Sequence, residues 1–144
     1  MNQHTNITSR GRRLSTPTII LFLGLLVLPV LAVLHLPPAF DPRIVFGYTA
    51  LASTVTFLLY RRDKQKAQAD EWRTPESTLH FADILGGWPG GFLAQRTLRH
   101  KTSKTTFQVK FWAIVLVHQI VAFDSLQQWR YFRKILFHVS HGSA

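Results

Sequence analysis

The chain contains no cysteine, and only seven of its 144 residues are acidic. The first absence excludes disulfides, thiolate metal sites and a cysteine nucleophile. The second leaves seventeen Lys and Arg in large excess, with a net charge of +10 and a pI near 11.0. Such an excess suits anionic lipid headgroups as well as nucleic acid. Catalytic signatures are missing too. The run Gly86-Gly87-Trp88-Pro89-Gly90-Gly91 lacks the strand before it and the Lys-Ser/Thr after it that a phosphate loop needs. There is no G-x-S-x-G elbow, no Ser–His–carboxylate order that fits a triad, and no internal repeat of solenoid type. The seven histidines are scattered over separate elements, and the closest pair, His138 and His141, has no carboxylate companion. No metal site and no cofactor is implied.

What the chain does have is apolar residues in blocks. Hydrophobic residues make up 47% of the sequence, and the charges fill the gaps between the blocks. A water-soluble basic protein spreads its charge instead. Residues 18–36 carry no charge and, at about 1.5 Å per residue, would span roughly 28 Å as a helix, close to the ~30 Å of a hydrocarbon core. The run is too long for a signal-peptide core, and no A-x-A site follows it. Pro29 can kink this helix, which bilayers tolerate better than water does. Residues 36–42 form a turn containing Pro37, Pro38 and Pro42. Residues 44–60 are a second uncharged span that completes a helical hairpin. Its Gly47, Ala50, Ser53, Thr54 and Thr56 allow close helix approach. Tyr60 beside Arg61 and Arg62 has the composition of an interfacial anchor.

Residues 61–73 are highly charged and can form a short helix at headgroup level, marked by Trp72. Thr74, Pro75 and Glu76 then form a helix start, with Thr74 as N-cap and Pro75 at the first helical position. In residues 75–96, Ala82, Gly86, Gly90 and Ala94 recur every four residues as a stripe of small side chains, widened by Gly87 and Gly91. A continuous helix here would be roughly 33 Å long, enough to cross a membrane. Pro89 would break it near the middle, so the alternative is a re-entrant hairpin turning at residues 86–91. A basic connector (96–104) leads to the last apolar span (107–123), where Lys110 can snorkel. The tail from Asp124 begins amphipathically, with Leu126, Trp129, Phe132 and Leu136 on one face. It reads as a surface-lying helix or as an extension of the last span.

These features specify an all-α membrane protein with about four transmembrane helices, one of them glycine-rich and kinked or re-entrant, plus a short interfacial helix. Its organisation is a basic cytoplasmic tail (1–15), a transmembrane hairpin (16–60), a membrane core (61–123) and an amphipathic basic tail (124–144). Arg10, Arg12 and Arg13 ahead of the first span place the N-terminus in the cytoplasm. Charge counting leaves the second half of the topology open. Asp83 and His118 stand out because both fall within apolar helices, where an ionisable group marks either a proton relay or ligand contact, or one buried hydrogen bond that fixes helix register.

The stretch from Tyr60 to His118 resembles an uncharacterised family of small bacterial multipass membrane proteins. The resemblance rests on Asp63-Lys64 with Ala67, Trp72-Arg73 with Pro75-Glu76 and Leu79, and Leu85-Gly86-Gly87-Trp88-Pro89-Gly90 with Ala94 and Gln95. It continues through Arg99-His100-Lys101-Thr102, Lys104 and Phe107. It implies a bacterial inner-membrane location and no known activity. Some members of that family carry an N-terminal cold-shock domain; the first seventeen residues here are too short for one and lack its aromatic strand motif.

The resemblance directs attention to Asp63, Lys64, Trp72, Arg73, Glu76, Arg99, His100 and Lys101 as candidates for contact with a ligand or headgroup. A re-entrant segment gathers them on one face, whereas a crossing segment separates them. The leading functional expectation is a non-enzymatic protein acting through helix packing or contact with lipid, a partner helix or a second copy. The alternatives are a membrane-embedded enzyme or small transporter using Asp83, His118 and the Arg99-His100-Lys101 group, and a tethered nucleic-acid binder. Solvated positive-inside loops account for the nucleic-acid-like composition without any such ligand.

Overall fold

The computed structural model describes residues 14–72 and 74–141, and among these it is all-helical, with no strand. Helices α1 (Thr16–Leu34), α2 (Pro42–Gln68) and α5 (Thr105–Leu126) are long and apolar enough to cross a membrane. Between α2 and α5 lie α3 (Glu76–Ala82), a π-helical turn (Asp83–Gly87) and α4 (Trp88–Leu98), and α6 (Arg130–His141) ends the chain. The long helices are apolar on the outside. Ile20, Ile44, Leu51, Val109 and Val117 are among the large side chains left exposed, as on helices solvated by lipid. The buried residues instead gather around the short elements, with Tyr60, Leu79, Trp88, Phe92, Ala94, Phe107, Phe111 and Val115 forming one core.

Residues 75–96 are not one continuous helix. Gly86 takes φ +94° inside the π turn, a left-handed conformation that a residue with a Cβ rarely adopts. The chain reverses there, and α3 and α4 run back to back along α2. Contacts with α2 measure the hairpin. Its tip is at Tyr48, whose hydroxyl donates to the Leu85 carbonyl at 2.8 Å, and its base is at Asp63 and Lys64. The returning arm α4 has eleven residues, so the hairpin is roughly 16 Å deep. The expected stripe of small residues is therefore folded in two rather than laid along one straight face. Gly90 presses on the Ser53 backbone, Gly87 on Thr56, and Gly91 on the Asp83 carboxylate; a Cβ at any of the three would overlap its neighbour. Ala94 is fully buried, and Ala82 is half-buried at the end of α3.

Two prolines leave backbone carbonyls without their helical donors. Pro29 has no N–H to offer the Leu25 carbonyl, and the Gln119 amide from α5 donates to that oxygen at 2.9 Å. Pro89 cannot serve Leu85, which receives the Tyr48 hydroxyl instead. Helix α1 lies mainly against α5, and Phe22 stacks on Phe92 with ring centroids 5.5 Å apart.

Other local expectations also shift. Residues 61–68 do not form a separate interfacial helix but continue α2 by two turns, because Arg61 to Gln68 contains no Gly or Pro to stop it. The stop comes at Asp70, with φ 57°. Tyr60 is not an interfacial anchor: it is fully buried, and its hydroxyl is claimed by Asp83. Helix α3 begins one residue later than expected, with Pro75 at the cap position and no side-chain cap, since the Thr74 N–H is turned toward Asp63. The last span and the tail are distinct helices. Gln128 and Trp129 both take left-handed φ, and the Asp124 carboxylate, itself at the end of α5, accepts from the Phe132 N–H at 3.1 Å to cap α6.

Candidate functional site

The base of the hairpin is a charged knot. Asp63 leaves α2 fully buried, so its carboxylate needs several donors. It accepts from the Thr74 N–H at 3.1 Å, bonds His100 Nε2 at 2.7 Å, and lies 3.6 Å from Lys101 Nζ. Lys101 also donates to Glu76 Oε1 at 2.7 Å, and Lys104 reaches the same oxygen at 2.9 Å. These two ammonium groups lower the Glu76 carboxyl from its ordinary 4.5 to about 2, the hydrogen bond from Lys101 being the largest cause. Lys64 donates to the Leu98 carbonyl at 2.6 Å, placing a cation on the C-terminus of α4, where the helix dipole is negative. Arg99 and Lys101 both take left-handed φ, and this tight turn brings His100 and Lys101 back over Asp63.

From this knot a line of polar side chains descends into the hairpin. Gln108 of α5 donates to Gln95 at 2.6 Å and to the Lys101 carbonyl at 2.9 Å. The Gln95 amide reaches the Tyr60 hydroxyl at 3.4 Å, and Tyr60 donates to Asp83 Oδ2 at 2.7 Å. His80, one helical turn before Asp83, packs against Phe107 with the rings tilted by 30° and has its Nδ1 3.9 Å from Asp83 Oδ2. Both His80 nitrogens and Asp83 Oδ1 are buried without a hydrogen-bond partner.

Of the residues singled out from sequence, Asp63, Lys64, Glu76, His100 and Lys101 come together in the knot. Trp72 is 89% exposed and touches none of them, and Arg99 is exposed at the rim. Arg73 lies outside the described residues. Asp83 and His118 are not brought together, since His118 bonds the Ile114 carbonyl within its own helix at 2.9 Å and faces the Trp88 ring. Among the described residues, no group of three His, Cys, Asp or Glu could hold a metal ion. Sequence reasoning passed over Tyr48, Gln108 and Gln119, read Tyr60 as an interfacial anchor, and named Gln95 only within the family resemblance. For Tyr48 and Gln119 a signal existed: a proline inside an apolar helix implies an orphan carbonyl four residues earlier and hence a donor on a neighbour.

No curated protein and no solved structure matches the chain. Residues 53–107, the stretch that runs from the Gly90 contact on α2 through the hairpin to Phe107, match the model of an uncharacterised family, described as "Protein of unknown function (DUF1294)".

Proposed function

We propose that the chain is a non-enzymatic bacterial inner-membrane protein with three crossings and one re-entrant hairpin, and that the hairpin's base is a surface for anionic lipid headgroups. The observation that carries this reading is how the charges divide. Both acids of the knot, Asp63 and Glu76, are taken up internally by His100, Lys101 and Lys104. Among the described residues, no carboxylate pairs with Arg61, Arg62, Lys66, Arg96 or Arg99, which are exposed at that same end. A ring of unpaired guanidinium and ammonium groups around an apolar bundle is complementary to a phosphate layer.

The fold of the hairpin supports the same orientation. With α3 and α4 both opening at the base, residues 61–66 and 96–104 share one side, and the first turn of α1 faces it too. Arg43, Arg130, Arg133 and Lys134 occupy the other side. The bias of Lys and Arg supports a cytoplasmic base and N-terminus. At the far side, α6 exposes Phe132, Ile135, Leu136 and Val139 along one face, opposite Arg130, Lys134 and His138. Such a helix rests in the plane of the bilayer surface.

The test is to purify the full chain and its Arg61→Gln/Arg62→Gln/Arg96→Gln/Arg99→Gln variant in nanodiscs of mixed zwitterionic and anionic phospholipid. Native mass spectrometry then reads the retained lipid. The expected result is enrichment of anionic lipid on the natural chain and its loss in the variant; equal retention by both refutes the lipid reading.

A further inference from the structure

Neither the packing of the hairpin nor lipid contact at its base explains why it buries a carboxyl and an imidazole with orphaned polar atoms. Asp83 is fully buried, and one carboxyl oxygen has no partner. His80 beside it has none on either nitrogen. A pin between hairpin and α2 would need only the Tyr60 hydroxyl and any acceptor. Buried polar atoms left over beyond that need call for a role of their own.

The surroundings say from which direction. Above Asp83, toward the base, polar groups follow one another. The Tyr60 hydroxyl both donates to Asp83 and accepts from Gln95, Gln95 is bonded to Gln108, and Asp63 lies one turn above Tyr60 on the same helix, in contact with His100 and Lys101. The other charged groups bearing on this region are Glu76 on α3 and Lys110 on α5. Below Asp83, the hairpin from Ile84 to Phe92 contains no ionisable side chain at all. Gly87 and Gly90 there are pressed onto α2, and Trp88 is buried. His118, on α5 beyond the Trp88 ring, has its Nδ1 engaged by its own helix.

We infer that Asp83, with Tyr60 and His80, is a proton-binding site open to the base of the hairpin and closed toward its tip. The proton is taken up from the base side at Asp83 Oδ1, the carboxyl oxygen that the Tyr60 hydroxyl leaves free. His80 stands within one water's reach as a second acceptor. The ligand is a proton, and the geometry gives it one-sided access.

The experiment uses the full chain in sealed, orientation-sorted vesicles and follows the infrared stretch of the protonated carboxyl after a pH step on one side. Asp83→Asn identifies the band by removing it while leaving an acceptor for Tyr60. If that variant does not fold, Asp83→Glu identifies the band by shifting it. The expected result is a band that responds to pH on the base side and not on the other. Tyr60→Phe removes the hydrogen bond to Asp83 Oδ2 and should shift the band while leaving its sidedness unchanged. A band that ignores pH on both sides overturns the inference, as does one that responds equally to both. Because the readout is the carboxyl itself, it is independent of lipid retention by the arginine ring.

Discussion

Helix α1 and the glycine hairpin each contain a proline deep in an apolar stretch, and the two behave differently. At Pro29 the helix runs on, and at Pro89 the chain has already reversed. In both places the carbonyl four residues earlier loses its donor, and in both a neighbouring helix supplies one, Gln119 for Leu25 and Tyr48 for Leu85. The difference lies in the residues before the proline. Gly86, three positions ahead of Pro89, can enter the left-handed region, while the residues ahead of Pro29 are Leu25, Leu26, Val27 and Leu28, which cannot do so cheaply. Proline opens a helix; glycine decides whether it turns. The turn is then held because Gly87 and Gly90 allow backbone contact that larger residues would forbid, which matters in lipid, where burying apolar surface gives little drive for helices to associate.

The strongest way to break this contrast is Gly90→Leu, which puts a side chain into the Ser53 backbone. It should cost about 3 kcal/mol or more and abolish the folded hairpin, as seen by loss of the monodisperse species in detergent. Gly86→Ala attacks the reversal itself. It should cost about 1–2 kcal/mol in unfolding by denaturing detergent, whereas Gly24→Ala in α1, where a Cβ meets nothing, should cost nothing measurable.

The contrast is sharpened by removing the donors. Tyr48→Phe and Gln119→Leu should each cost about 0.5–1.5 kcal/mol, the range for hydrogen bonds between membrane helices. Pro29→Ala restores the N–H that Leu25 lacks, so in that background Gln119→Leu should become nearly silent; an undiminished cost would show that Gln119 serves something else. The smallest effect concerns pH. The Glu76 carboxyl is lowered from 4.5 to about 2, so the folded state binds its proton less readily than the unfolded chain. The stability it lends is therefore fully present above pH 4.5 and is lost as the pH falls from there toward 2. The thermal midpoint should hold steady down to that window and then fall, and Glu76→Gln should remove this component of the fall.

Much of this was legible in the residues. Two uncharged runs of membrane-spanning length and a third with only Lys110 near its start read directly as α1, α2 and α5, because length and hydropathy are local properties. The small-residue spacing from Ala82 to Ala94 takes in Gly87, Gly90 and Gly91, which press on their neighbours, but periodicity alone left a straight helix and a hairpin both open. A stripe every four residues looks the same in one helix as in two folded together, and only the φ of Gly86 separates them. Asp63, Glu76, His100 and Lys101 were recognisable as a set, but whether they meet depends on that same reversal. Tyr60 was misread for a related reason. Next to two arginines it has the composition of an interface anchor, yet its burial depends on Asp83, 23 residues away, approaching from the returning hairpin.

The central claim is that the two ends of the hairpin lie together, and single-cysteine labelling tests it most directly, since the chain has no native cysteine. Ser77 and Ser103 are both exposed, next to Glu76 and Lys104. Cysteine variants at each, probed with a membrane-impermeant thiol reagent from either side of sealed vesicles, should label from the same side. Labelling from opposite sides would mean that residues 75–96 cross the membrane. That would separate Glu76 from Lys101 and contradict the hairpin, the charged knot and every inference built on them.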